Sequence, residues 1–251
     1  MINIKEKLKK NELTIGSWMS FGNPYAVEIM AAAGFDWLAA DMEHTSLTYS
    51  DMQQMIQVTE LCGCAPLVRV EANDVTVIKK AMDAGAHGVI VPMINSRGEA
   101  ERAVAAVHYP PRGIRGVGLS RAQKYGTGFE QYKKKNDECS VVIVQIEHID
   151  AVNNLEEILT VDGVDAFMIG PYDLSASLGR PGEFNYPPMA EALDRVVEVS
   201  RRLGVTMGYH SVATDPEAAR KKIEEGYHFI AVGTDFLYLG DSCRNMVKLL
   251  K

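Results

Sequence analysis

Short, nearly unbroken apolar runs alternate along this chain with longer segments whose apolar residues recur at helical spacing. A glycine closes most of the helical segments. "NPYAVEIMAAAG" runs from Asn23 to Gly34 and precedes "FDWLAAD"; "TYSDMQQMIQVTELCG" ends at Gly63 and precedes "APLVRV"; "NDVTVIKKAMDAG" ends at Gly85 and precedes "HGVIVPMI". The same punctuation recurs at Gly163, Gly204 and Gly226, ahead of "VDAFMIG", "VTMGYH" and "YHFIAVG". Glycine at a helix end takes the left-handed conformation without steric penalty. Asn23 with Pro24, and Thr48 with Asp51 three residues on, supply helix starts. The apolar runs, rich in Val, Ile and Ala, suit parallel strands covered on both faces.

Eight such strands are expected, at 14–19, 36–41, 66–70, 88–93, 141–147, 166–170, 205–209 and 229–233, with helices between most of them. Eight βα units in a chain of 251 residues is the arithmetic of a single-domain TIM (β/α)8 barrel. A doubly wound open sheet is the alternative, but neither a GxGxxG nor a Walker sequence is present. Residues 108–140 break the rhythm. Their glycine and proline density predicts a long loop, either a lid or binding loop or a plain surface excursion.

Composition narrows the function classes. The chain is 47% hydrophobic and 24% charged, with net charge −7 and no basic stripe beyond Lys133–Lys135, so nucleic acid is not an expected partner. Neither a signal-like amino terminus nor an 18-residue apolar run is seen, so no membrane partner and a cytoplasmic location are expected. Cys62, Cys64, Cys139 and Cys243 lack paired zinc spacing and read as reduced thiols.

In a TIM barrel, chemistry sits where strands end. The second strand ends in Asp41, Glu43 and His44, the third carries Arg69, the fifth carries Gln145 and Glu147, and the sixth runs into Asp173. Unpaired buried charge is costly, so these groups pair with one another or hold an ion. Gln145 and Glu147, two apart, share a strand face. Neighbouring strands lie about 4.8 Å apart, so Glu147 and Asp173 can meet one divalent cation with positions left for water and substrate; an ion pair to arginine is the competing account. Arg69 suits a carboxylate or enolate oxygen or, equally, a structural salt bridge. His44 suits a general base, the role imidazole commonly takes near neutral pH, unless it is simply a polar packing residue; Asp83 is a candidate to orient it. The other histidines, His87, His108, His148, His210 and His228, show no metal spacing, and most read as structural or exposed.

"DMEH", "PLVRV", "MDAGAHGVIVPM", "YPPRGIRGVG", "VQIE", "VDGVDAFMIGPYDLSASLG" and "AVGTD", in this order, resemble the HpcH/HpaI aldolases, class II metal-dependent pyruvate aldolases of the phosphoenolpyruvate/pyruvate TIM-barrel superfamily. The resemblance spans residues 14 to about 240. It implies cleavage or formation of 4-hydroxy-2-oxo acids from pyruvate, or oxaloacetate, and an aldehyde, with Mg²⁺, Mn²⁺ or Co²⁺. It implies Glu147 and Asp173 as metal carboxylates, Arg69 as enolate stabiliser and His44 with Asp83 as base dyad. Gln145 and Ser175 would bind the oxo acid alongside Arg69. It also implies a homo-oligomer, a hexamer built from trimers, with the carboxy-terminal helix exchanged between subunits. Carbon–carbon lysis of CoA thioesters, oxaloacetate decarboxylation and non-catalytic binding of a 2-oxo acid are the competing functions. The stretches 119–132 and 208–216 depart from the dihydroxyheptenedioate aldolases, which leaves the aldehyde open.

Overall fold

The computed structural model describes residues 2–251. Eight parallel strands close on themselves in sequence order. They are β1 (Thr14–Met19), β2 (Trp37–Asp41), β3 (Ala65–Arg69), β4 (Gly88–Val91), β5 (Val141–Ile146), β6 (Ala166–Ile169), β7 (Thr206–Ser211) and β8 (Phe229–Thr234). Helices lie between consecutive strands, as right-handed βα crossovers require. The fold is the expected TIM barrel. Each strand lies within a few residues of its expected span, because runs buried on both faces leave little freedom of register.

The punctuation works as local chemistry predicts. Gly34, Gly63, Gly85, Gly163, Gly204 and Gly226 all have positive φ. Asn23 caps the helix Pro24–Ala32, and Thr48 with Asp51 forms a complete capping box on the helix Tyr49–Leu61.

Alternate strand positions fill the barrel. Trp18, Trp37, Ala39, Leu67, Ile90, Ile143, Met168, Phe229 and Ala231 form one interior cluster. Trp37 stacks on Phe229 with ring centroids 4.5 Å apart, and it fits only because Gly16 on β1 has no Cβ, which would lie 2.0 Å from the indole. Ile4 and Leu8, from the short helix Ile4–Lys9, join this cluster and plug the end where the strands begin. The other face of the sheet packs against the helices through a separate, larger cluster. Interior side chains at the opposite end change from apolar to polar, and there the functional groups gather.

Residues 108–140 differ from the expected long loop. A 3-10 segment at Arg121–Gly126 leads into a helix, Phe129–Cys139. Arg121 donates to the Ala84 carbonyl at 3.0 Å and to Glu60 at 2.6 Å. Both acceptors lie at helix ends on the side where strands begin, so this segment braces the lower rim and is no lid over the mouth. The sequence signal for a loop came from its glycines and prolines, all of which precede the helix Phe129–Cys139.

Candidate active site

Asp41, the last residue of β2, accepts two bonds from Arg69, the last residue of β3. Arg69 Nε lies 2.9 Å from Oδ1 and Nη2 lies 2.7 Å from Oδ2. The register pairs these two residues directly, so the fork-on-carboxylate geometry follows from strand pairing and side-chain parity. Burial pushes Asp41 upward, but the bonds and charge of Arg69 outweigh it and hold the carboxyl below its usual range. Beneath, the guanidinium rests on the Trp18 ring, 4.4 Å from its centroid. Asp41 Oδ1 also accepts the backbone N–H groups of Glu43 and His44, at 3.1 and 3.3 Å. One carboxylate therefore sets both the arginine and the turn that presents the next two polar residues.

Glu43 sits between them. Its Oε2 is 3.4 Å from Arg69 Nε and 3.5 Å from His44 Nε2. This oxygen is closed to water and makes no hydrogen bond among the described residues. Burial raises the Glu43 carboxyl to about 7; Arg69 opposes the rise and the charges of Asp41 and Asp173 add to it.

Glu147 follows β5 and is 3% exposed. Its Oε1 accepts the Met93 backbone N–H at 2.7 Å, and its Oε2 accepts from the Gln145 amide. Met93 adopts φ 53° just after β4. A left-handed methionine is unfavourable by about 1 kcal/mol or more, and here that conformation aims an N–H at the carboxylate. Burial raises Glu147 to about 7; the Met93 bond opposes this, and the charges of Glu43 and Asp173 reinforce it. Asp173 lies in the first turn of the helix Pro171–Ser177, just past β6, exposed to solvent.

The site thus gathers acids around an unfilled electrostatic demand. Gly170, between Glu147 and Asp173, carries no side chain, and a Cβ there would lie 2.7 Å from Glu147 Oε2. Gln145 Oε1 is also buried without a partner. A Glu147 carboxylate that feels the charge of Asp173, a glycine that makes room for it and a neighbouring orphaned oxygen fit a divalent cation held by few protein ligands and completed by water and substrate. No group of three or more His, Cys, Asp or Glu side chains arranged for a metal occurs among the described residues, so the candidate centre is a two-carboxylate one.

Two sequence expectations need correction. Asp83 does not orient His44 within one protomer. It pairs with buried Arg115 at 2.5 Å, because the helix Val75–Ala84 starts near the mouth and carries Asp83 to the opposite end of the barrel. The acid beside His44 is Glu43. Ser175 does not offer its hydroxyl to the mouth: it donates to the Tyr172 carbonyl at 2.7 Å and accepts from Gly182 N–H at 2.9 Å, tying the helix to the following loop. His44, Arg69, Gln145, Glu147 and Asp173 stand at strand ends around the mouth.

Comparison with known proteins follows the same lines. A profile described as HpcH/HpaI aldolase/citrate lyase matches residues 14–241. The chain belongs to the HpcH/HpaI aldolase/citrate lyase family. The 2-keto-3-deoxy-L-rhamnonate aldolase of Escherichia coli is 35% identical over 249 residues, covering 98% of this chain and 92% of the relative. An HpcH/HpaI aldolase/citrate lyase family protein from Burkholderia cenocepacia J2315 superposes with TM-score 0.94 at 33% identity, covering 100% and 99% of the two chains. The HpcH/HpaI aldolase of Desulfitobacterium hafniense DCB-2 superposes at 0.91 with 29% identity, covering 100% and 97%. This HpcH/HpaI-family chain is a carbon–carbon lyase.

Sequence reasoning missed three features of the candidate site. The Met93 amide has no side-chain signature. Trp18 was legible only through β1 parity, two residues beyond Gly16. His210, the next-to-last residue of β7, lies on the interior face in step with Thr206 and Gly208, and alternation alone could have placed it there.

Proposed function

We propose that this protein is a divalent-metal-dependent aldolase that forms or cleaves a 4-hydroxy-2-oxo acid, with pyruvate or a close 2-oxo acid as one partner and an aldehyde as the other. The carrying observation is the convergence of Glu147 and Asp173 on the same mouth as Arg69, with burial and mutual charge holding Glu147 near neutrality in the absence of a cation. A bound Mg²⁺, Mn²⁺ or Co²⁺ would supply Lewis-acid polarisation of the 2-oxo group, held by Glu147 and Asp173.

The chain's own groups do the rest. Asp41 takes two of the five N–H donors of Arg69 and fixes the plane of the guanidinium, whose remaining donors face the developing enolate oxygen. Gln145 lies beside Glu147 and completes the pocket for the oxo acid. In cleavage, His44 removes the proton from the 4-hydroxyl, the bond between carbons 3 and 4 breaks, and its electron pair passes into the pyruvate enolate as the aldehyde leaves; the enolate then takes a proton from water at carbon 3 to give pyruvate. Addition reverses each step. His44 is well exposed at the rim, where a base can exchange its proton with water, and Glu43 stands against its ring. A screen of aldehydes with pyruvate and each metal, read by product mass, tests this assignment: a new 4-hydroxy-2-oxo acid supports it, and none with any aldehyde rejects it.

His44→Ala is expected to slow aldol cleavage by about 10² or more, the scale of a general base. Oxaloacetate decarboxylation, which removes no hydroxyl proton, should fall much less. Equal losses would assign His44 to placement rather than proton transfer.

The raised carboxyls also set a pH dependence. Between the ordinary carboxyl range and about pH 7, metal-free folded protein binds more protons at Glu43 and Glu147 than the unfolded chain does. These groups therefore favour folding at lower pH, and that contribution is lost as pH rises towards 7. A cation must displace those protons below pH 7 but not above it. The rise in melting temperature on adding Mn²⁺ should thus be larger at about pH 8 than at about pH 6. Differential scanning fluorimetry checks this, and an equal or reversed shift would contradict it.

We also propose a homo-oligomer with the carboxy-terminal helix packed against a neighbour. Supporting this, the helix Asp235–Leu250 exposes Phe236, Leu239, Met246, Val247 and Leu250, at spacings that place several on one helical stripe. An Asp83 role at His44 would require such a neighbour. A cytoplasmic location fits four free cysteines; no helix among the described residues is long and apolar enough to cross a membrane.

A further inference from the structure

His210 is unlike the other histidines. It is the next-to-last residue of β7, on the interior face, and its ring meets Trp18 edge-on with centroids 5.5 Å apart. Trp18 is the residue on which the Arg69 guanidinium rests, so His210 belongs to the same polar layer. Its Nε2 is closed to water and has no partner among the described residues. The residue as a whole is partly exposed, the one position of β7 that is.

The sheet register locates it relative to the candidate metal ligand. Gln145 pairs with Met168, and Met168 with Gly208. Extending both ladders by one interior position puts Glu147, Gly170 and His210 in one row across β5, β6 and β7. Two strand spacings separate the ends of that row, roughly 10 Å along the sheet. The middle position is a glycine, so no side chain of β6 stands between the two ends of the row; the space beside it is taken by the Glu147 carboxylate, 2.7 Å from where a Cβ would lie. An oxo acid seated at Glu147 and Arg69 would lay its later carbons towards His210.

A neutral imidazole is the form expected there. Burial, with the charge of Arg69 adding, pushes His210 down to about 3. It can donate or accept one hydrogen bond but gives no charge to hold an anion, so its natural partner is a hydroxyl. His210 makes no hydrogen bond among the described residues, and its Nδ1, which unlike Nε2 is not closed to water, is the atom a substrate hydroxyl can meet; a polar group left without a partner in such a site is unfavourable by about 1–3 kcal/mol.

We propose that His210 is a specificity-determining residue that hydrogen-bonds a hydroxyl on the aldehyde-derived half of the substrate, so that the enzyme selects hydroxylated aldehydes over alkyl ones. This rests on the aldolase reading of the site and narrows its substrate class. A hydrophobic side chain at this position discriminates weakly between a hydroxyl and a methyl, whereas a polar group awaiting a partner discriminates strongly.

The test compares kcat/KM for pyruvate addition to glycolaldehyde and to propanal, which differ by a hydroxyl in place of a methyl. The wild type should favour glycolaldehyde, and in His210→Leu the ratio should fall by about tenfold or more. His210→Phe, which keeps a ring without nitrogen, should behave alike and supplies the reading should the leucine variant fail to fold. His210→Gln should restore part of the preference. Metal-dependent exchange of the pyruvate C3 protons with deuterium, which needs no aldehyde, is followed in each protein. Intact exchange with an unchanged ratio in the leucine or phenylalanine variant overturns the role of His210 and leaves the aldolase reading standing. No exchange in the metal-loaded wild type overturns both.

Discussion

Replacing Glu147 by glutamine is expected to weaken Mn²⁺ binding by about a hundredfold or more and to bring aldol turnover to background. The magnitude follows from the ligand's position: even partners that only support metal ligands are worth about 10–100-fold in affinity, and Glu147 is proposed as a ligand itself. The substitution is a clean one. Glutamine keeps an acceptor for the Met93 N–H, which Glu147 now binds at 2.7 Å, and it removes a carboxyl that burial and the neighbouring acids raise to about 7. The variant should therefore fold at least as well as the metal-free wild type at pH 8. Asp173→Asn should lose affinity in the same way. Isothermal titration with Mn²⁺ measures both, and wild-type affinity in both variants would remove this pair as the metal site.

Arg69→Ala should lower aldol turnover by about 10²–10³, the usual effect of losing a charge partner for a developing oxyanion, while metal affinity changes little. A second consequence comes from Asp41. Its carboxylate is buried and takes both oxygens' bonds from Arg69, and removing one member of a buried pair destabilises by about 3–5 kcal/mol. Turnover must therefore be read below the new melting transition. Arg69→Lys separates the effects. It keeps the charge, loses the two-point grip and should recover stability more fully than rate. An alanine variant that is folded, binds Mn²⁺ and turns over at the wild-type rate would remove Arg69 from the chemistry.

The barrel was legible because its signals are local and repeated. Glycine after six of the helical segments and a short apolar run after each of those glycines are properties of short windows, and eight strand-like runs in all imply closure. The strand-end residues were legible for the same reason: parity places Asp41, Arg69, Gln145 and Glu147 on the inner face without knowledge of anything distant. What was hidden depends on where helices end and where backbones bend. Asp83 reads as a plausible orienting acid until the helix Val75–Ala84 is seen to carry it to the other rim, onto Arg115. Ser175 reads as a ligand group within a specific motif, yet its hydroxyl closes a local turn. The left-handed Met93 has no side-chain code. His210 was passed over because an isolated histidine after an apolar run is most often structural, and only the β5–β6–β7 register shows it in line with Glu147.

The central claim is that a cation at Glu147 and Asp173 and the guanidinium of Arg69 together generate a pyruvate enolate. Deuterium incorporation at C3 of pyruvate in D₂O, read by mass with no aldehyde present, isolates that step. The wild type with saturating Mg²⁺ should exchange these protons well above the rate of free Mg²⁺ in buffer, and chelation, Glu147→Gln or Arg69→Ala should each abolish the excess. Exchange that persists in the chelated protein, or in a folded Glu147→Gln variant at the wild-type rate, would contradict the account.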